Sequence, residues 1–271
     1  MADPKQLVDE LAGLGVDLWV DGGALRFRAP EGVLTPTWRQ EIAEIRSELI
    51  EFLEKEAPHG EFTPDPAGRF LPFPLTDVQT SYMLGRSNAF RYAGVGCHGY
   101  GELIFEQMDP KRLESAWNAL VARHAMLRAV MDREGGQRVL EAVPQVKIDP
   151  IDATKSVDKV RNAIRQEMDH RVYDPTSWPL FDIRLTRGDN NWIVHLSLDF
   201  LIADFVSIQI LLQELGVLLD DPLADLPSLG LEFRDYVVHQ KAFGIGPAQD
   251  ADRAFWMERL GHLPPAPDLP V

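Results

Sequence analysis

Asp199, Asp204 and Ser207 follow one another at spacings of five and three residues, and each carries an oxygen able to take or give a proton. Carboxylates placed this way suit a reaction that moves protons. A local reading competes with that one. Asp204 can serve as a helix N-cap accepting a backbone N–H, with Ser207 at the third helical position in a box-like arrangement. Just upstream, His195-Leu196-Ser197-Leu198-Asp199 spells H-x-x-x-D, in which the histidine can act as a general base. Its alternative is a histidine satisfied within a strand.

These residues need a strand and a helix to position them. From Trp192 to Leu198 the chain alternates, with Val194, Leu196 and Leu198 on one side and His195, Ser197 and Asp199 on the other. Phe205 to Leu219 has the pattern of an amphipathic helix, so Asp199 closes a strand while Asp204 and Ser207 open a helix. Upstream, Lys111 to His124 predicts a helix with Leu113, Trp117, Leu120 and Val121 on one face. Gln137 to Ile148 predicts extended chain, Ser156 to Arg171 a helix with a polar outer face, and Trp178 and Phe181 core positions. Strands interleaved with helices imply an α/β layered domain.

The first sixty residues read separately. Leu7, Val8, Leu11 and Leu14 recur at helical spacing, and Gly15 ends that helix. Val16 to Val20 and Leu25 to Arg28 alternate around Asp21-Gly22-Gly23, which predicts a β-hairpin. Thr35-Pro36 starts a further helix whose apolar stripe runs through Trp38, Ile42, Ile45, Leu49, Ile50, Phe52 and Leu53. Pro58, Pro64, Pro66 and Pro72 then mark a boundary. The reading is a domain at 1–57, a linker at 58–70 and a second domain at 71–271.

Composition excludes several classes. A formal net charge of -15 repels polyphosphate and argues against nucleic-acid binding. The single cysteine, Cys97, excludes an internal disulfide or a cysteine-based zinc site and reads as a packed core residue. No apolar run is long enough for a transmembrane helix, and the N-terminus lacks a signal-peptide pattern, so a cytoplasmic, membrane-free protein is expected.

The run Phe73-Pro74-Leu75-Thr76-Asp77-Val78-Gln79-Thr80-Ser81-Tyr82-Met83-Leu84-Gly85-Arg86 resembles the F-P-L-T-x-x-Q-x-A/S-Y-x-x-G-R opening of nonribosomal peptide synthetase heterocyclization domains. Arg123-His124-Ala125-Met126-Leu127-Arg128 is similar to a second segment of that family. Asp199-x4-Asp204-x2-Ser207 matches its D-x-x-x-x-D-x-x-S signature, which stands where amide-forming condensation domains have H-H-x-x-x-D-G. Trp256 with Leu263-Pro264-Pro265-Ala266-Pro267-Asp268-Leu269-Pro270 resembles a later family stretch. The first piece is similar to tubulysin-type N-terminal docking domains.

The resemblance implies an α/β fold: a small ααββα-type docking domain, then one chloramphenicol-acetyltransferase-like lobe of a condensation-family domain. It implies condensation of a carrier-bound acyl group with cysteine, serine or threonine, then cyclodehydration to a thiazoline or oxazoline. Asp199, Asp204 and Ser207 become the catalytic candidates. Arg128 is expected to pair with Asp204, as the corresponding residues do in related domains. Tyr82 and Arg86 are expected to pack and to end a helix, with contact to the carrier arm as the alternative for Arg86. No cofactor or metal is bound directly; the phosphopantetheine arms of upstream and downstream carrier proteins enter the domain. Arg26 and Arg28 project from one strand face, and the docking reading has them receive the acidic C-terminal peptide of an upstream synthase by strand addition. The alternative is that both are merely solvated.

Because the family has two lobes and the ring-closing residues lie on the second, the chain alone is expected to dock its peptide without cyclizing. Two rivals remain: an interaction module only, or amide formation without ring closure. The second includes a chloramphenicol-acetyltransferase-like reading of His195, weakened by Phe200 where that motif has glycine.

Overall fold

The computed structural model describes residues 3–21, 23–30, 32–56, 62–87, 94–132, 134–243 and 247–263. Packing divides the chain into two compact units, Met1–Glu61 with Phe243–Val271, and Phe62–Ala242.

In the first unit, Asp3 caps helix α1 (Pro4–Gly13), its carboxylate accepting from the Lys5 N–H. Gly15, at φ 78°, follows the helix end and lets the Val16 N–H fold back onto the Leu11 carbonyl. Strands β1 (Asp17–Asp21) and β2 (Ala24–Arg28) pair antiparallel, with Gly23 at φ 74° in the turn. Thr35 caps α2 (Pro36–Glu44), as its sequence position predicts. The stripe expected to form one helix is broken at Ile45, whose φ of -116° ends α2 before α3 (Arg46–Glu56) begins. The order is therefore αββαα, with the extra helix after the hairpin rather than before it. The break turns Ile45 and Leu49 onto Leu7, Leu11 and Val16, which form the buried core of this unit. Helix α9 (Pro247–Leu260) falls to this unit by packing, and its Trp256 is exposed. The proline-rich stretch from Pro264 to Pro270 lies outside the described residues.

Among the described residues, the second unit holds two sheets. The smaller orders β3 (Phe73–Pro74), β6 (Gly136–Val139) and β5 (Ala129–Met131) as β3-β6-β5. The larger orders β4 (His98–Phe105), β9 (Trp192–Asp199), β8 (Phe181–Arg187) and β7 (Pro150–Asp152) as β4-β9-β8-β7, antiparallel except for β7 with β8. One face of the larger sheet carries Val194, Leu196, Leu198, Phe181, Ile183 and Leu185. Helices α5 (Pro110–Arg123) and α7 (Phe205–Asp220) cover it, contributing Leu113, Trp117, Leu120, Leu211, Leu215 and Leu218 to the same core. Helix α6 (Val157–Met168) covers the other face. That face carries His195, Ser197 and Asp199, as the alternation predicts, and β9 is buried along nearly its whole length. Its polar residues must therefore find partners inside.

Helices α4 (Asp77–Arg86) and α8 (Phe233–Phe243) complete this unit. Part of the stretch read as linker is anchored to α8. Asp65 accepts from Arg234 Nη1 at 2.9 Å, and its own N–H donates to Asp235 at 3.1 Å. Between Val139 and Pro150 the chain forms no regular strand, although extended chain was expected to Ile148.

Candidate functional site

Thr76 and Gln79 form a reciprocal capping box at the start of α4. Gln79 is buried and fully satisfied. Its Nε2 donates to Gln137 Oε1 at 2.9 Å and to the Leu201 carbonyl at 2.8 Å, while Gln137 Nε2 donates back to Gln79 Oε1 at 2.8 Å. The opening motif thus holds the loop that leaves β9. At the other end of α4, Arg86 turns inward with its side chain only 6% exposed. It donates from Nη2 to Asp199 Oδ1 at 2.9 Å, from Nη1 to the Tyr173 carbonyl and from Nε to the Tyr82 carbonyl. The Leu201 N–H also donates to Asp199 Oδ1, at 2.9 Å. Arg86 is therefore occupied within the lobe, which removes the reading in which it meets a carrier arm.

The two aspartates of the signature stand in opposite environments. Asp199 is wholly buried and ion-paired. Asp204 is exposed at the start of α7, where its Oδ1 accepts from the Ser207 N–H at 2.7 Å and the Ser207 hydroxyl at 2.6 Å. Those two hydrogen bonds hold its carboxyl below the usual carboxylate range. The local capping reading is thus correct, and of the three catalytic candidates Asp204 is the one presenting a carboxylate at the surface.

The expected pair of Arg128 with Asp204 is absent. Arg128 is 5% exposed and donates to the carbonyls of Leu140, Val121 and Ala122, with no ion-pair partner among the described residues. Its planar fork is satisfied by backbone at the end of α5 instead. Burial, with the charge of Arg69, lowers its pKa from the ordinary arginine range. Tyr82 is partly buried beside Phe200, and burial together with Cys97 pushes its phenol up. Cys97, expected in the core, is only partly buried.

The polar face beneath α6 holds a network that the sequence reading missed. Glu102 faces His195 across the β4–β9 ladder. Arg161 Nε donates to Glu102 at 2.6 Å, and Arg165 Nη2 reaches both of its oxygens at 2.9 Å. Burial pushes the Glu102 carboxyl up, but hydrogen bonds from Arg161, Tyr100 and Arg165 outweigh it and hold the group at about 2. Tyr100 O–H donates to Glu102 at 2.8 Å, so its oxygen takes the Nδ1–H of His195, also at 2.8 Å. The Thr186 hydroxyl then donates to His195 Nε2 at 3.0 Å. With no exposed surface and both nitrogens engaged, His195 is the satisfied strand histidine and cannot reach a substrate. Burial lowers it to about 4. Two patterns carried this signal: His98, Tyr100 and Glu102 at alternate strand positions, and Arg161 with Arg165 four apart on a helix.

On the first unit's hairpin, Arg26 stands opposite Trp19 and Arg28 opposite Asp17. Directly opposed residues share a face, so both arginines lie on one side, and both are exposed. Among the described residues the sheet has only these two strands, which makes β2 an edge strand.

Residues 5–55 match the TubC N-terminal docking domain, and residues 99–271 match the condensation domain. The chain is 37% identical over 272 residues to pyochelin synthetase PchF of Pseudomonas aeruginosa, covering 98% of this chain and 15% of that protein. It is 33% identical over 211 residues to phenyloxazoline synthase MbtB of Mycobacterium tuberculosis, covering 74% of this chain and 14% of that one. Among solved structures, the EpoB nonribosomal peptide synthetase cyclization-docking bidomain of Sorangium cellulosum aligns with a TM-score of 0.86 at 35% identity. That alignment covers 98% of this chain and 54% of the bidomain.

Proposed function

The chain belongs to the condensation-domain family and opens with a TubC-type docking domain, and from that premise we propose that it is the start of a nonribosomal peptide synthetase subunit of the heterocyclizing kind. The docking domain receives the C-terminal tail of an upstream subunit. The lobe supplies one half of a domain in which the amine of a carrier-bound cysteine, serine or threonine attacks an upstream acyl thioester. The carrier thiol leaves and an amide forms. The side-chain thiol or hydroxyl then adds to the amide carbon, and loss of water leaves a thiazoline or oxazoline. The phosphopantetheine arms of the partner carriers bring both reactants.

The observation that carries this reading is the conjunction of the aspartate signature with likeness to a cyclization-docking bidomain over 98% of the chain. In this proposal Asp199 is a positioning residue, since it is buried against Arg86, and Asp204 is the carboxylate available to a proton in transit. The chain spans about half of that bidomain and a small part of the curated relatives, so turnover is assigned to the longer protein.

The test is the intact mass of carrier-bound product, from an acylated upstream carrier and a cysteine-loaded downstream carrier, with this chain and with the full-length subunit. Condensation with loss of one water by the full-length subunit supports the proposal. Condensation without that loss identifies amide formation alone, and ring formation by this chain alone overturns the division of labour between lobes.

A further inference from the structure

Two buried oxygens on β9 lack a hydrogen-bonding group among the described residues: Ser197 Oγ and Asp199 Oδ2. Both residues have no exposed surface. They lie two apart on one strand and therefore on the same face, about 7 Å from Cα to Cα, too far for two short side chains to meet directly. The other carboxylate oxygen, Asp199 Oδ1, is already engaged by Arg86 and by the Leu201 N–H.

We propose that Ser197 and Asp199 together hold one internal water molecule. The chemistry selects the occupant. A carboxylate ion-paired to Arg86 accepts only, so its free oxygen needs a donor, while the serine hydroxyl can donate to the same molecule. Water does both, and a carboxylate–water–hydroxyl bridge spans the separation. A metal ion would need several more oxygen ligands than these two. Internal waters commonly make about three hydrogen bonds, and Tyr173 is the neighbouring side chain able to accept the third. Its hydroxyl lies 3.4 Å from the Ser197 carbonyl, a long contact that leaves its oxygen able to accept. Burial pushes that phenol up to about 12, so it stays protonated and neutral.

The site gives Ser197 a purpose that its place in a strand does not, and it makes Asp199 the hub joining Arg86, the Leu201 backbone and the water. High-resolution crystallography of the chain is the direct test, and a density peak within hydrogen-bond distance of Ser197 Oγ and Asp199 Oδ2 is expected. The variant Ser197→Ala adds a test of sign. If the water is held, losing the hydroxyl strands it, and Tm falls by about 2–4 °C. If the site is dry, the same change removes an unsatisfied buried hydroxyl and Tm rises. Absence of the peak, or a rise in Tm, overturns the proposal. Should the variant fail to fold, the density in the unaltered chain decides.

Discussion

Arg86 Nη2 lies 2.9 Å from Asp199 Oδ1, so the last residue of α4 is clamped to the last residue of β9 across 113 positions of sequence. The side chains are 6% and 0% exposed, and the pair is further tied to the carbonyls of Tyr82 and Tyr173. The opening motif and the aspartate signature are therefore one structural unit. Gln79 does the same from the other end of α4 through Leu201.

Arg86→Met should strand a buried carboxylate, at a cost of roughly 3–5 kcal/mol. Urea denaturation of the chain reads it directly. Arg86→Met with Asp199→Asn should recover part of that loss, because the remaining amide carries no charge. If the single and double variants are equally destabilised, the arginine acts through its carbonyl contacts and the ion pair contributes little.

His195 should make stability depend on pH. Burial lowers it to about 4 in the folded chain, below its unfolded value near 6.5. Between those limits the unfolded chain binds more protons, so stability is lost as pH falls from about 6.5 toward 4. The slope contributed is at most one proton, about 1.4 kcal/mol per pH unit. His195→Gln should flatten unfolding free energy against pH in that window relative to the parent, and an unchanged profile would show that another group titrates there.

The sequence was most legible where a single element carries the pattern. Leu113, Trp117, Leu120 and Val121 fall on the buried face of α5, the hairpin pairs Asp21 with Ala24 next to the predicted turn, and Asp204 caps α7 with Ser207. What it hid were partnerships between distant elements. Motif arginines and aspartates do not by themselves say which pairs with which: in place of the expected Arg128–Asp204 pair, Arg86 holds Asp199 and Arg128 is satisfied by carbonyls. The alternation of β9 located its two faces correctly, but only the packing of α6 shows that the polar face is covered. The break at Ile45 was hidden because an apolar stripe can continue through a change in helix direction.

Asp204 combines a structural and a proposed chemical role, and two substitutions separate them. Asp204→Ala removes the N-cap and should destabilise α7 by about 1 kcal/mol. Asp204→Asn keeps a capping oxygen while removing the charge, so its stability should stay near the parent's. If the carboxylate moves protons, the full-length subunit carrying Asp204→Asn should lose ring closure while its melting temperature is retained. Equal activity of parent and Asp204→Asn would leave Asp204 with capping alone.

The docking proposal makes a prediction about charge and another about backbone. Arg26 and Arg28 share the exposed face of β2, so reversing both to glutamate should weaken a synthetic acidic peptide by on the order of tenfold in titration calorimetry. The parent's affinity should fall with added salt, because exposed charges are screened. Charge alone would bind the peptide in any orientation. Strand addition instead requires backbone hydrogen bonds from alternate peptide residues to the β2 edge. N-methylation of the amides in one alternating set should therefore abolish binding, while methylation of the other set should be tolerated. Equal loss from both sets would point to side-chain electrostatics without strand addition.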